Sequence, residues 1–359
     1  MVRALAAQGH EVELLTYPRG DDLPIAGVRH RRSLSLPVGR VRAGPSLAKL
    51  ALDVPFMAAA WWRMAVGRFD VVHAVEEAAH LAAPIARLLR LPLVVDVDSS
   101  IPAQIRESGF ATRGPLLWAA DALEGHALAH AAAVVTVCAS LTDGVRARVP
   151  QARVFQIEDP PLVGAPAPPA EIAALRASLG LDARPVVLYS GNFERYQGVE
   201  LLVDAGALVP GAQFVFMGGE PDQIAALRAR AGRDATCVFA GKRATTELPA
   251  FLGAAAVVAS PRITGANTPF KIYTYLASGR PLVATRILTH TQLVDDGMAW
   301  LVEPTPAGLA SGIQAALADP AEARRRAQRG VDLIAREYSE ARHAEKVAAA
   351  YAAIAEAVR

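Results

Sequence analysis

The residues most able to do chemistry cluster in GANTPFKIYTYLASGRP, from Gly265 to Pro281. Thr268 stands where an N-cap oxygen would accept a first-turn N–H. Pro269 follows at the first helical position, where its missing donor costs nothing. Phe270, Tyr273, Leu276 and Ala277 recur at helical spacing. Gly279 suits the position past a helix end, and Pro281 prevents continuation. A lysine in a first turn opposes the helix dipole. Lys271 is therefore either a solvated cation or one kept for an anion, such as a phosphate, seated on helix N–H groups. Asn267 and Thr268 would bond phosphate or sugar hydroxyls, unless Thr268 only caps. Lys49, Lys242, Lys271 and Lys346 are the only four lysines in 359 residues. An arginine-biased chain that keeps lysine at 242 and 271 points to compact point charges there.

A second set lies in YSGNFERYQGVE. Gly191 and Gly198 would let backbone approach a pyrophosphate, although ordinary strand-to-helix glycines look the same. Asn192 and Gln197 offer neutral hydrogen bonds or are solvated loop polars, and Arg195 adds a cation. Gly218 is the first glycine of FVFMGG, and Lys242, after CVFAG, reaches the same region or stays at the surface. In the first half Asp98 follows LPLVVDV, at the end of a buried strand where a carboxylate is poorly placed unless used or paired. It orients or deprotonates an acceptor hydroxyl, or it caps the next helix with Ser99 and Ser100. Asp96-Val97-Asp98 mimics a metal-binding DxD, but alternate strand residues share a face, which turns Asp96 into the sheet. His73 and Glu76, in and after FDVVHAV, would line an acceptor cleft; a lone strand histidine is more often a satisfied core residue.

These residues need elements to position them, and the chain has an α/β rhythm. FDVVHAV, LPLVVDVDSS and AAAVVTVCAS read as buried strands alternating with the helical runs AAHLAAPIARLLR and PLLWAADALEGHALAH, and ARVFQIED closes that half. PPLVGAPAPPA, residues 160–170, reads as a linker. Strands then resume as RPVVLYSG, AQFVFMGG, ATCVFAGK, AAAVVASP, RPLVAT and AWLVEP. The expected architecture is two doubly wound Rossmann-like domains facing a cleft: residues 1–159, a linker at 160–170, residues 171–340, and a helix at 341–359 that packs back on the first domain. MVRALAAQGHEVELLTYP opens on a helix, so the first domain is expected to lack its first, central strand.

Composition narrows the function. The chain is 52% hydrophobic and 20% charged with a net charge of +2, a globular balance that gives no field for nucleic acid. Two cysteines, Cys138 and Cys237, and no CxxC or HExxH motif argue for a reduced cytoplasmic setting without a metal or cofactor. No apolar run is long enough to span a bilayer. LAKLALDVPFMAAAWWRMAV carries Lys49, Asp53, Pro55 and Arg63 and reads as a surface or groove helix. From Arg29 to Arg68, eight basic residues (Arg29, Arg31, Arg32, Arg40, Arg42, Lys49, Arg63, Arg68) face the single acid Asp53, a local charge of +7 interleaved with Phe56, Met57, Trp61 and Trp62. That stripe suits an anionic membrane surface or a lipid-linked acceptor, or it is a solvated loop beside a packed helix.

The second half resembles the nucleotide-sugar domain of retaining GT-B glycosyltransferases, family 4, and the resemblance extends over nearly the whole chain. VVLYSGNFERYQGVELLVDA is similar to the family's pyrophosphate-holding turn, TPFKIYTYLASGRPLVAT to its signature helix, and LVDDGMAWLVEPTPAGLASGI to its closing segment. FDVVHAV and LPLVVDVDSS resemble the acceptor-side strands. The departures are Asn192 and Gln197 where the family carries arginine and lysine, Ala266 and Thr274 where it carries two glutamates, and Asp98 where it carries histidine. The resemblance implies a metal-independent hexosyltransferase that moves a sugar from a nucleotide-sugar donor to a hydroxyl acceptor, a glycan or lipid-linked glycan of the cell envelope, with retention. Lys271, Arg262 and Asp98 would be catalytic. The donor would meet Gly191, Asn192, Arg195, Gln197, Gly198, Gly218, Lys242, Asn267, Thr268, Pro269, Phe270 and Thr274. The acceptor would meet His73, Glu76, Ser99 and Ser100. A nucleotide-sugar epimerase of the same fold and a non-catalytic sugar-nucleotide binder are the alternatives.

Overall fold

The computed structural model describes residues 1–20, 24–38, 47–107, 113–162, 164–232 and 236–358. It divides into two units, Met1–Glu158 with Ala341–Arg359, and Asp159–Glu340. In the first unit α1 (Val2–Ala7) leads to β1 (Val12–Thr16), whose parallel partner is β2 (Val28–Arg32). Then follow α2 (Leu47–Val66), β3 (Val72–Val75), α3 (Glu77–Leu88), β4 (Leu93–Val97), α4 (Ile101–Glu107), α5 (Pro115–His130), β5 (Ala133–Thr136), α6 (Ala139–Arg148) and β6 (Val154–Gln156). β3 to β6 form a parallel sheet in sequence order. Among the described residues no ladder joins that sheet to the β1–β2 pair. β4 is buried along its whole length, which is why LVVDV is apolar nearly throughout instead of alternating. On one face Val95 and Val134 pack with Ala83 of α3 and Ala127 of α5. On the other, Val94 and Val135 pack with Leu5 of α1.

The second unit runs α7 (Pro169–Ser178), β7 (Val186–Ser190), α8 (Val199–Leu208), β8 (Gln213–Met217), α9 (Pro221–Ala231), β9 (Cys237–Gly241), α10 (Leu248–Ala254), β10 (Val257–Ser260), α11 (Phe270–Ala277), β11 (Leu282–Thr285), α12 (Leu288–Thr291), β12 (Ala299–Val302), α13 (Pro306–Ala318) and α14 (Pro320–Glu337). Its six parallel strands lie in the order β12-β11-β10-β7-β8-β9, the Rossmann-like doubly wound arrangement. Alternate residues feed opposite cores, Val186 and Leu188 into one and Val187 and Tyr189 into the other.

Helix α15 (Glu340–Val358) returns to the first unit. Val347, Ala350 and Ile354 pack there against Val94 and Val135, and Lys346 pairs with Glu158 at 2.5 Å. The stretch 160–170 is less of a tether than its composition implies. Pro169 and Ala170 already belong to α7, and Leu162 N–H donates to Thr274 Oγ1 at 3.1 Å. Val163 lies outside the described residues.

Candidate active site

In the second unit the chain leaves β7 toward β8 on one side and reaches β10 on the other. Loops diverge at such a switch point and leave a crevice beyond the strand ends. Here the loops after β7, β8, β9 and β10, with the start of α11, enclose a cavity of about 530 Å³. Lys242, Arg243, Arg262 and Lys271 line it, and no carboxylate is among its described lining residues.

Glycines let the loops meet. Gly191 has φ +141° and Gly218 φ +121°. A Cβ on Gly218 would overlap the carbonyl oxygen of Gly191, and one on Gly191 would come within 2.8 Å of Lys271 Nζ. The Lys271 amine thus lies directly over the backbone of the first turn. It donates to Gln197 Oε1 at 3.0 Å and sits 3.9 Å from the Tyr189 ring centroid. Burial, and then the charge of Arg262, push the Lys271 amine well below the usual lysine range. An anion in the cavity would reverse that shift, because a nearby opposite charge favours the ammonium. Tyr189 O–H donates to the Asn192 carbonyl at 2.6 Å. Tyr275 O accepts the Ser190 N–H at 2.7 Å. Both tyrosines are fully buried, and they pin the turn from below.

Arg262 behaves differently from the expectation of a charge offered to a ligand. It is buried, and its guanidinium donates to Thr264 O (2.8 Å), Asn267 O (3.3 Å) and Asn267 Oδ1 (2.8 Å), above the Tyr196 ring. Gly265, at φ +128°, leaves room for it, since a Cβ there would strike the guanidinium. Arg262 therefore holds the loop before α11 in shape, and the same bonds occupy Asn267. Beneath that loop His290 is fully buried. Its Nδ1–H donates to Thr285 O at 2.7 Å, and Nε2 accepts from Ser260 Oγ at 2.9 Å. Burial holds its pKa down at about 4, and the Thr285 hydroxyl donates to the Arg262 carbonyl.

Other sequence expectations are corrected. Helix α11 starts at Phe270 with Pro269 at the N-cap and no side-chain cap, so Thr268 does not cap; it is buried below the loop. Thr268 and Gly198 are absent from the described lining; Gly198, at φ +64°, is glycine because a Cβ would overlap Pro261 O. Arg195 is exposed in a single 3-10 turn and does not line the cavity, whereas its neighbour Tyr196 does. Asn192, Gln197, Lys242, Pro269, Phe270 and Thr274 do line it. Asn192 Oδ1 accepts the Glu194 N–H at 3.2 Å, Lys242 is ion-paired with Glu220, and Thr274 Oγ1 is already engaged by Leu162.

In the first unit His73 is bonded on both sides, by Asp96 Oδ2 (2.9 Å) and Tyr351 O–H (2.7 Å), so it stays a core residue of the sheet. Asp96 is thereby committed inward, which removes the DxD reading. Glu76 stands at the N-cap position of α3, without a side-chain cap bond, at φ +50°, an uncommon value for a side-chain-bearing residue. It accepts from Ser99 Oγ and from Gln104 Nε2 (3.2 Å), and burial raises its pKa. Ser100 donates to Glu124 (3.1 Å), and Glu124 accepts the Ile101 N–H at 3.0 Å, so Glu124, unremarked in the sequence, caps α4. Asp98 lies just past β4, partly buried. Arg40 and Arg42 of the basic stripe lie outside the described residues. Among the described residues no group of three or more His, Cys, Asp or Glu side chains is arranged to hold a metal.

The model of the group 1 glycosyltransferases matches residues 184–319, and that of the glycosyltransferase 4-like domain matches residues 1–160. An alpha-D-kanosaminyltransferase of Streptomyces kanamyceticus is 30% identical over 285 residues, 74% of this chain and 72% of its own. The chain belongs to the group 1 glycosyltransferases. Sugar transfer is therefore its activity. This glycosyltransferase is also similar in fold to a sucrose-phosphate synthase from Thermosynechococcus elongatus (TM-score 0.81, 23% identity, 99% of this chain and 92% of that one). It is similar as well to HepE from Anabaena, solved with UDP and glucose (TM-score 0.73, 17% identity, 95% of this chain and 99% of that one). Those likenesses show the GT-B fold.

Proposed function

We propose that this glycosyltransferase takes a hexose from a nucleotide-sugar donor and passes it to a hydroxyl acceptor with retention, without a metal ion. One observation carries the donor assignment: a cavity lined by Lys242, Arg243, Arg262 and Lys271, with no carboxylate among its described lining residues, whose floor is glycine backbone and whose wall is the N-terminus of α11. A diphosphate matches it, since free N–H groups of a first turn and a nearby ammonium both favour phosphate oxygens. HepE, of the same fold, was solved with UDP-glucose, which supports a nucleotide-sugar in this cavity.

Catalysis would rest on stabilising the departing diphosphate. Lys271 becomes a full ammonium as negative charge collects on the leaving oxygen, and the positive end of the α11 dipole would add to that stabilisation. Arg262 positions the loop, and Glu76 and Asp98, each just past a strand end of the first unit, are the carboxylates that would meet an acceptor hydroxyl. A cationic lining, with no carboxylate among its described residues, supports neutralisation of the diphosphate by the protein itself. Lys271→Ala tests the reading: turnover should fall by about 10²-fold, beyond what its loss of ground-state donor affinity accounts for. An effect confined to affinity would leave a sugar-nucleotide binder. Product analysis by NMR tests retention, the donor's anomeric configuration being expected in the product.

A further inference from the structure

Helix α2 is built inside out. Its charged side chains turn into the unit: Lys49 pairs with Glu77 (2.6 Å), Asp53 accepts from the Tyr17 hydroxyl, and Arg63 pairs with Glu13 (2.6 Å). Every described residue that the helix leaves exposed is apolar, the large ones being Leu50, Val54, Trp61, Trp62 and Val66. Leu50, Val54, Trp62 and Val66 are spaced by multiples of four, so they form one stripe. Val54 is 67% and Trp62 66% exposed, where a surface helix normally shows charge. The asymmetry extends beyond the helix. Among the described residues, thirteen of the large apolar side chains left exposed belong to the first unit and five to the second.

The border of the stripe is cationic. Arg31, on β2, shares the Glu13 carboxylate with Arg63 of α2. One carboxylate between two guanidinia leaves a positive surplus beside the helix. Arg29, exposed on the same strand, pairs with Glu11 at 3.3 Å, and Arg68 is exposed just past the helix end.

We propose that α2 docks this enzyme on an anionic bilayer, with its tryptophans and aliphatic side chains at the headgroup boundary and the flanking arginines on lipid phosphates. The like-signed border decides between occupants. A second copy of this chain would bring the same cations against themselves across a two-fold interface, whereas anionic lipid attracts them. The helix does not cross the membrane, and no described helix is long and apolar enough to do so.

Sedimentation with phosphatidylcholine vesicles, with and without phosphatidylglycerol, tests this on the full chain, with tryptophan emission read in parallel. The chain should pellet with the anionic vesicles, less so as salt rises, and its emission should move to the blue. Val54→Glu with Trp62→Glu should weaken binding by at least about tenfold, because each exposed side chain withdrawn from lipid forfeits apolar burial. The far-UV circular dichroism and nucleotide response of that variant should stay as in the parent. No pelleting with either vesicle would overturn the proposal, as would equal binding by the double variant. A concentration-dependent dimer abolished by the same substitutions would give the face to a second copy and overturn it too.

Discussion

Lys271 is the residue on which the chemistry turns, because its environment holds it short of a full charge until a ligand supplies the counter-charge. Burial lowers its pKa, and Arg262 adds to the effect. Diphosphate binding should therefore take up a proton, and affinity should fall as pH rises through the depressed lysine value. Titration calorimetry in buffers of different ionisation enthalpy measures that uptake directly; a binding heat independent of the buffer would contradict it. His290 carries the opposite kind of message. It is neutral in the fold with a pKa of about 4 against 6.5 for the unfolded chain, so the unfolded state binds more protons between those values. Stability is thus complete above about pH 6.5 and lost on acidification toward pH 4, by about 3 kcal/mol for this residue. Denaturant titrations at both ends of that window should show the loss, and His290→Gln should flatten it. Neither feature was legible in the sequence. Lys271 was singled out, but its partners Gln197 and Tyr189 lie in another loop and strand, and nothing local to THTQ says that its histidine is buried.

At the scale of elements, the strands of the second unit could be read directly from short apolar runs, and their order explains why four loops converge on one crevice. The helix N-terminus was legible to within one residue. Its cap was misread because Pro269 can serve at either position, and only the bond from Ile272 N–H to Pro269 O settles which. The role of Arg262 could not be read, since sequence does not say whether a guanidinium faces a ligand or folds back on its own loop; the space beside Gly265 decides that. β2, three of whose five residues are exposed, gave no apolar signal at all. The close approach of two loops makes its own prediction. Gly218→Ala would drive a Cβ into the Gly191 carbonyl at a φ that side chains avoid, so donor affinity should fall at least about tenfold. Tyr275→Phe is gentler, since it leaves the Ser190 N–H without its acceptor at a cost of about 1–3 kcal/mol in stability. Calorimetric unfolding of the two variants, with and without nucleotide, separates these outcomes.

For the whole molecule, the two units divide the surface chemistry. The second gathers a cationic, glycine-floored cavity, and the first exposes most of the apolar side chains beside a cationic border. Net charge alone, at +2, showed neither feature, because each is a matter of where charges lie. The central claim is that the cavity of the second unit holds a donor diphosphate on Lys271 and the α11 N-terminus. The most direct measurement is the thermal stability of the full chain with UDP, GDP, ADP or dTDP, with and without magnesium, for the parent and for Lys271→Ala. Saturation at a hundred times Kd should contribute about 2.7 kcal/mol. One of the four nucleotides should therefore raise Tm by several degrees without magnesium, and by clearly less in the variant. No shift with any of them, or the same shift in both proteins, would contradict the account.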